Sequence, residues 1–530
     1  MPEDSIRAAA VAPPSERITL RVALAAWAAI VAVAAASLHA FYSRGLINLY
    51  GDSMAHLEGA RRLIDSLTPG YSEIGTVWLP IPHLLMALPA QNDFLWRTGL
   101  AGGIVSTLAF MLAAGILFRL ALAMNGSVAA ATVTLAAFLL CPNMLYLAST
   151  PLTEPLAILC VVLMVYGLYR YGQTGSTAAW VGAALAGFAG TLTRYECWSL
   201  LPFAALFVLL ARDDPWRTRF RRTLLFALIA GAGPLLWLLH NAYRFGNPLE
   251  FYTGPFSAKG IYEHQLATTA FRFPTDGSRT ISARYYLEDL RLVIGAWPLM
   301  LALLGLIAWS VDGPRRARRA AAWLLLVPLP FHIQSMAHAA VPLYVPTLFP
   351  NTYWNLRLGM EMLPGVALLA SFLVPTAGSK RARGLFVGGL LLLLVAQYAS
   401  TLGRGARELA IAKEGALNTP CRSKRQQDLA QFLRERYDGQ TILMAAGKWP
   451  CVLPSLGIPY RKTVSDANHE LWARLSIAPE KSVAWIVRGC DEPVVWFLRA
   501  HAVAFTRFEV VFEETVPGEG QLIIYRRAPE

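Results

Sequence analysis

Long apolar runs constrain the fold of this chain more than any other feature. A run of roughly 18 or more apolar residues is long enough to cross a bilayer as a helix. Apolar residues make up 55% of the 530 residues and charged residues only 15%, which excludes an ordinary soluble protein. We therefore predict an α-helical polytopic membrane protein with about 11 transmembrane helices. The predicted spans are 20–42, 98–118, 128–148, 154–171, 177–193, 197–211, 223–240, 291–310, 320–338, 358–375 and 384–402.

One further apolar stretch differs from these spans. Residues 77–90 contain three prolines, Pro80, Pro82 and Pro89, which interrupt a helix. We predict a re-entrant or interfacial element there. The first span lies behind about twenty polar residues and lacks a clear cleavage site, so we expect a membrane helix and not a signal peptide.

The net charge of +13 follows the membrane topology. Basic residues cluster in the tail 1–19 and in alternate loops, such as 211–222, 312–320 and 379–384. The positive-inside rule assigns such loops to the cytoplasm. The pattern predicts a multi-pass protein of the bacterial inner membrane with a disordered cytoplasmic tail, and it gives no support for a nucleic-acid partner. The remaining loops, which carry the polar candidates below, would then share the outer face.

The C-terminal region returns to soluble composition. We predict a transmembrane catalytic domain at 20–402 and a small extracytoplasmic α/β domain at 403–530. QQDLAQFLRERY predicts a helix, whereas TILMAAG, VAWIVRG, VVWFL, FEVVFEE and QLIIYRR resemble strands. Cys421, Cys451 and Cys490 lie in this region, and we favour a disulfide between the first two. Cys141, Cys160 and Cys197 lie in apolar spans and are expected to pack there.

The first polar loop, 43–97, carries the leading candidate for chemistry. Asp52 stands at the head of a predicted amphipathic helix, where it would serve as an N-cap, a general base or a metal ligand. His56 is four residues further on and shares its helical face. His56 and His83, the latter in the proline-rich element, are either satisfied polar residues or substrate contacts.

Two later spans begin with charged residues. Glu154 either complements the helix dipole or has a catalytic role, since a carboxylate at the edge of the lipid is costly without a polar partner. Arg194, Tyr195 and Glu196 form either an interfacial ion pair with an aromatic anchor or a phosphate-binding group.

Arg357 precedes the span at 358–375. On the outer face this cation requires a reason, which a phosphate or a pair with Glu361, four residues along, would supply. Trp354 and its neighbour Tyr353 would stack on a sugar or anchor the chain at the membrane boundary. His332 and His338, within or at the end of a span, are weaker candidates.

Several of these motifs occur together in a known family. Asp52 in the first loop, PGY followed by a W.P..HLL pattern, TEPL, LTRYE, and NLRLGMEMLP before a late span resemble the GT-C membrane glycosyltransferases. The pattern is nearest to the family 39-like enzymes, such as aminoarabinose transferases and protein O-mannosyltransferases. Many relatives have Asp-Glu where this chain has Asp52-Ser53, and Lys-Pro-Pro where it has WLPIP.

The resemblance implies a function and roles for individual residues. The enzyme would transfer a sugar from a polyprenyl-phosphate-linked donor to a lipid, polysaccharide or protein acceptor, at the outer face of the membrane. Asp52 would act as catalytic base and Glu154 would occupy the family's second acidic position. Arg194 and Arg357 would bind the phosphate, and displacement would invert the anomeric carbon. A divalent metal ion, if required, would have Asp52, His56 and Glu154 as its candidate ligands.

Two alternatives from other classes stay open at this point. One is a transporter or flippase for a lipid-linked or amphiphilic substrate, although transporters place ionisable groups near the bilayer midplane. The other is a scaffold without catalytic activity, whose external domain binds a partner.

Overall fold

The computed structural model describes residues 19–312, 319–375, 379–465, 468–490 and 492–529. All of the predicted tail 1–19 except Thr19, and residues 313–318 of the basic loop 312–320, lie outside the described residues. The helices from the N-terminus to Val311 are α1 (Leu20–Ser43), α2 (Gly51–Arg62), α3 (Pro80–Ala87), α4 (Asp93–Thr98), α5 (Leu100–Asn125), α6 (Val128–Leu139), α7 (Pro142–Ala148), α8 (Glu154–Thr174), α9 (Thr177–Thr191), α10 (Glu196–Leu210), α11 (Trp216–Phe245), α12 (Glu250–Thr253), α13 (Ala258–Thr269), α14 (Arg279–Val293) and α15 (Ala296–Val311).

Further helices follow in the second half of the chain. They are α16 (Pro328–Ala337), α17 (Leu363–Ser371), α18 (Lys380–Leu402), α19 (Ala410–Asn418), α20 (Lys424–Arg436), α21 (Val452–Leu456), α22 (His469–Leu475) and α23 (Pro493–Ala500). Two 3-10 helices, Ala320–Leu326 and Leu356–Met362, lead into α16 and α17.

The structure is that of a multi-pass helical membrane protein. Within the described residues, 6 helices are long and apolar enough to cross a membrane, or up to 8 if each bent pair is one span. The bent pairs are α6 with α7, at 65°, and α14 with α15, at 114°. Every predicted span coincides with a helix or helix pair, but the count of 11 is not confirmed, because α9 and α10 are short and the 358–375 span is split.

Small residues allow the membrane helices to approach closely. A Cβ on Gly167 of α8 would lie 2.7 Å from the backbone oxygen of Ala179 in α9. A Cβ on Gly305 of α15 would lie 1.9 Å from the backbone oxygen of Leu369 in α17. Both distances are below van der Waals contact, so these helix crossings require glycine. Close backbone approach of this kind stabilises helix packing where lipid weakens the hydrophobic effect.

The first polar loop folds into short elements. Its proline-rich part forms α3, with Pro80 in the first turn, and a 3-10 turn, Pro89–Gln91. A helix of eight residues is about 12 Å long and cannot cross a bilayer. This agrees with the predicted interfacial element. Arg61 of α2 connects these pieces through a hydrogen bond to the Ala90 oxygen at 2.6 Å and ion pairs to Asp65 and Asp93.

The C-terminal region contains a five-stranded mixed sheet of order β2-β1-β3-β5-β4. Its strands are β1 (Ile442–Leu443), β2 (Thr463–Val464), β3 (Trp485–Arg488), β4 (Phe508–Val516) and β5 (Gly520–Arg527). The helix QQDLAQFLRERY is confirmed as α20, but the predicted strand VVWFL is wrong, because it forms α23. Pro493 occupies the first turn of that helix, a start signal that outweighs the short apolar run.

The C-terminal sheet region packs against the first polar loop. Arg461 pairs with Asp65 at 2.7 Å, Asn468 donates to Glu73 at 3.0 Å, and Arg97 donates to the Pro454 oxygen at 2.9 Å. The predicted disulfide between Cys421 and Cys451 is confirmed, and both sulfur atoms lie beside Met54 of α2. Cys490 is exposed and is not part of a disulfide among the described residues. The Met54 contacts are in α2, the helix that carries Asp52, and the other contacts lie further along the first polar loop.

Candidate active site

A large cavity opens where the first polar loop meets the ends of the membrane helices. Its volume is about 1790 Å³, which exceeds that of most small-molecule pockets. The apolar wall includes Phe203, Phe251, Phe256, Phe271, Phe273 and Phe331. The C-terminal region contributes Gly447, Trp472 and Pro493. Eight predicted site residues line the cavity: Asp52, His56, His83, Arg194, Tyr195, Glu196, Trp354 and Arg357.

Asp52 lies in the first turn of α2. The N-cap position belongs to Tyr50, so the predicted capping role of Asp52 is wrong. The helix therefore begins two residues earlier than that role requires. Oδ2 of Asp52 accepts a hydrogen bond from Arg357, and 41% of the side chain remains exposed to the cavity. A carboxylate held at one oxygen and open on one side is suited to receive a proton.

A chain of ion pairs joins the predicted site residues. Arg357 contacts Asp52 and also Glu154, with 3.3 Å between Nε and Oε1. Oε1 of Glu154 in turn accepts from Nη1 of Arg194 at 2.7 Å. These contacts bring the four charges into one cluster. Glu154 itself is fully buried beneath the two arginines.

The series of ion pairs continues through Arg194, away from Asp52. Nη2 of Arg194 lies 2.5 Å from Oε1 of Glu196, which confirms the predicted ion pair, and its Nε lies 3.2 Å from Oε1 of Glu361. Nε2 of His332 is 2.9 Å from the other oxygen of Glu361. The predicted pair of Arg357 with Glu361 is wrong. Both residues lie in a 3-10 helix with three residues per turn, so residues four apart point in different directions.

The neighbouring charges shift the pKa values of Asp52 and Arg357. Burial raises the pKa of Asp52, but the Arg357 guanidinium and smaller contributions that include Arg194 together outweigh this effect and hold the pKa below its usual value. Burial lowers the pKa of Arg357, whereas Asp52 and Glu154 raise it to a net increase. Both groups are therefore charged at neutral pH.

The two histidines pair with each other. Nδ1 of His56 lies 2.9 Å from Nε2 of His83, and the His56 ring is 4.5 Å from the ring of Trp78. Burial lowers the pKa of His56 to about 3, and burial also lowers the pKa of His83 well below its usual value. Both rings are consequently neutral at physiological pH and provide a polar but uncharged patch beside Asp52.

The structure groups metal-binding side chains differently from the sequence prediction. Arg357 lies between Asp52 and Glu154, and His56 faces His83, so those three residues form no metal-binding group in the part of the chain that the structure describes. The group that can hold an ion is instead Glu196, His332 and Glu361, whose ligand atoms lie within 4.8 Å of one another. Carboxylate and imidazole ligands suit a divalent transition metal.

Aromatic residues lie beside the ion pairs in the cavity. Trp354 is 43% exposed, and its backbone pairs with Tyr344 through two hydrogen bonds of 3.1 Å. The Tyr195 hydroxyl donates to the Val77 oxygen at 2.6 Å and accepts from the Trp237 indole at 3.0 Å. Tyr195 therefore joins the first polar loop to the membrane helices in addition to lining the cavity.

Sequence analysis missed several residues of this site. The sequence indicates Glu361 only as a partner of Arg357, makes His332 a weak candidate because it lies in an apolar span, and does not predict a role for Glu414. Glu414 is buried and accepts hydrogen bonds from Tyr50 and from the backbone next to Arg357. One signal was available for His332 and Glu361, because ionisable residues in or beside an apolar span require polar partners.

Comparison with known proteins supports the fold. No family model matches the sequence, and no curated protein matches it. The crystal structure of ArnT from Cupriavidus metallidurans bound to undecaprenyl phosphate is similar, with 15% identity, a TM-score of 0.55, and coverage of 94% of this chain and 98% of that chain. The same protein in the apo state gives 15% identity, a TM-score of 0.51, and coverage of 94% and 99%. At this identity the likeness shows a shared fold, and the predicted helical membrane domain with a small C-terminal α/β region agrees with it.

Proposed function

We propose that this protein is a membrane glycosyltransferase that transfers a sugar from a polyprenyl-phosphate-linked donor to a hydroxyl or amine acceptor. The observation that carries the proposal is the pair of Asp52 and Arg357 in one cavity, with the carboxylate partly open and the guanidinium beside it. A carboxylate that can accept a proton and a cation that can bind phosphate are the two groups that this reaction requires, the first for the acceptor and the second for the leaving phosphate. The ArnT-like fold adds support, since one ArnT structure holds undecaprenyl phosphate.

The proposed reaction is a direct displacement at the anomeric carbon. The acceptor oxygen or nitrogen forms a bond to that carbon, while the bond from the carbon to the phosphate oxygen breaks and polyprenyl phosphate departs with the electron pair. Asp52 takes the proton of the acceptor. Attack opposite the leaving phosphate inverts the anomeric configuration.

Arg357 has two successive partners in this scheme. Its Nη1 is buried and has no hydrogen-bond partner among the described residues, so a phosphate that draws the guanidinium into the cavity would satisfy this donor. A phosphate that draws the guanidinium away from Asp52 also removes the charge that lowers the pKa of this carboxyl. Binding of the donor would therefore make Asp52 a stronger base at the moment when a base is required.

The remaining predicted residues support this pair. We propose that Glu154 and Arg194 act beneath it, with Glu154 orienting both guanidinium groups and Arg194 adding positive charge behind the phosphate. His56 and His83 would offer neutral hydrogen bonds, and Trp354 and Tyr195 an aromatic border, to the sugar or the acceptor. If a divalent ion participates, Glu196, His332 and Glu361 would hold it.

The test is the change of Asp52 to Asn in the purified full-length protein. Loss of the base should slow release of polyprenyl phosphate by roughly 10² to 10⁴-fold, the usual contribution of a general base. Reconstituted protein with undecaprenyl-phosphate-linked sugars and membrane extracts as acceptor provides the assay.

The matched control is Asp93→Asn, which neutralises an acid of the same polar loop. Asp93 is 72% exposed and pairs with Arg61. Release at the wild-type rate is expected from this control. Near-normal release from Asp52→Asn would refute the assignment. Transport of the intact lipid-linked substrate by both variants would favour a flippase.

A further inference from the structure

Glu414 is a buried carboxylate in α19, just after the last membrane helix. It is only 2% exposed. Helix α19 packs on the membrane helices, where the backbone amide of Ile411 donates to the Asn143 side chain at 3.2 Å. Burying a carboxylate is costly unless hydrogen bonds compensate. The partners of Glu414 therefore indicate what it stabilises.

Two of those partners are backbone amides beside Arg357. Asn355 N donates to Oε1 at 2.5 Å and Leu356 N donates to Oε2 at 2.9 Å. They begin the 3-10 helix Leu356–Met362, where amides have no partner within the helix. Asn355 adopts a left-handed conformation, with φ of 58°, and makes no side-chain capping bond to the described residues. Glu414 thus supplies the cap from a remote part of the chain.

The third partner is the hydroxyl of Tyr50. The Tyr50 ring lies under the guanidinium of Arg357, with 4.9 Å from Cζ to the ring centre. Tyr50 is also the N-cap residue of α2, two positions before Asp52. One carboxylate therefore connects the segment before Arg357, the aromatic face beneath it and the start of the helix that carries Asp52.

We propose that Glu414 is a positioning residue that fixes the backbone before Arg357 and the Tyr50 ring beneath its guanidinium for binding of the donor phosphate. The inference rests on the proposed function, because it takes Arg357 as the phosphate-binding group. In this role Glu414 touches neither phosphate nor acceptor and acts only through Tyr50 and the backbone at 355–356.

The chemistry at position 414 requires two accepting oxygens. Oε1 receives both Tyr50 and Asn355 N, and Oε2 receives Leu356 N. The amide of glutamine would direct an NH₂ group at one of these donors, and alanine would leave all three unpaired. Aspartate keeps the charge but is one methylene shorter. Glu414→Gln is therefore the sharpest substitution, because it keeps the shape and removes one acceptor.

A double-mutant cycle with the intact protein tests the proposal. The variants are Glu414→Gln, Arg357→Gln and the two together, and the measured quantity is the Kd for undecaprenyl phosphate in nanodiscs. We expect Glu414→Gln to weaken binding about tenfold when Arg357 is present and less than about twofold when it is absent. Equal weakening in both backgrounds would show a general structural effect and overturn the proposal, as would no weakening in either.

Two further variants keep the test decisive. Glu408→Gln removes a half-exposed carboxylate that pairs with Lys413 at 2.6 Å, and we expect it to leave the Kd unchanged. Tyr50→Phe removes one hydrogen bond to Glu414 and keeps the ring under Arg357. We expect the Kd of Tyr50→Phe for undecaprenyl phosphate to rise about two- to threefold. This variant tests the proposal if Glu414→Gln does not fold. Unchanged binding in Tyr50→Phe under that condition would overturn the inference.

The outcomes separate this inference from the proposed function. If Arg357→Gln itself binds undecaprenyl phosphate as tightly as the wild type, the phosphate assignment fails and the role of Glu414 fails with it. If Arg357→Gln binds weakly but Glu414→Gln binds normally, the phosphate assignment stands and only the positioning role is wrong.

Discussion

Arg194 and Arg357 lie along one chain of ion pairs and share Glu154, but their surroundings differ. Arg194 donates to Thr153, Glu154 and Glu196 and lies 3.2 Å from Glu361. Arg357 has two carboxylate partners, one of which, Asp52, is partly open to the cavity. One arginine is enclosed by acceptors, whereas the other keeps Nη1 without a partner in the described part of the chain.

This difference indicates that Arg194 and Arg357 have different roles. A guanidinium that already satisfies several buried carboxylates cannot leave them without exposing unpaired charge. Arg194 is therefore expected to act in stability, and Arg357 in ligand binding. Sequence analysis assigned both to phosphate because each is an arginine at the outer end of a span. The following predictions test the division.

The largest expected effect is that of Arg194→Gln on stability. Removing this cation leaves Glu154, Glu196 and Glu361 close together without their shared partner. Loss of one member of a buried ion pair costs about 3–5 kcal/mol, so the free energy of unfolding should fall by that amount. Thermal unfolding of the purified protein in detergent measures it. A melting temperature equal to that of the wild type would contradict the enclosed role of Arg194.

The next effect is that of Arg357→Gln on binding. A hydrogen bond to a charged group contributes about 1.5–3 kcal/mol, so the Kd for undecaprenyl phosphate should rise roughly 10- to 150-fold. The melting temperature should change less than in Arg194→Gln. The comparison between the two arginines would be reversed if Arg194→Gln weakened binding more while leaving stability intact.

The pH dependence of kcat/KM should show the effect of Arg357 on the pKa of Asp52. Asp52 must be ionised to accept a proton, so activity is lost as the pH falls through its pKa, which Arg357 holds below the usual value. Arg357→Gln removes the positive charge while burial still raises the pKa of Asp52. The acid limb of the profile should therefore move to higher pH. An unmoved limb would mean that Asp52 does not control it.

The smallest effect is expected at the border of the cavity. Trp354→Ala should raise the KM for the sugar donor about two- to tenfold by removing a stacking surface, with little change in kcat. Trp496, which is 56% exposed in α23 and outside the cavity lining, provides the matched control Trp496→Ala. Equal changes in both variants would indicate a loss of general stability instead of a substrate contact.

Part of the site was predictable because its signal is local. Asp52, Arg194 and Arg357 each stand next to an apolar run, and the loop charges predict that they share one face of the membrane. The hydrogen bond between His332 and Glu361 joins residues 29 positions apart, and the bond from Asn355 to Glu414 spans 59. No periodicity in a sequence encodes such pairs.

The sequence by itself determined that the chain forms apolar helices with polar groups at their outer ends, because lipid accepts only long apolar segments. It also determined the mixed C-terminal region and the cysteines available for a disulfide. Only the tertiary structure decided which charges meet. The 3-10 helix at Leu356–Met362 turns Arg357 away from Glu361 and towards Asp52 and Glu154. Glu414, from a distant segment, caps the start of that helix, and pairings of this kind depend on packing between elements and not on neighbours along the chain.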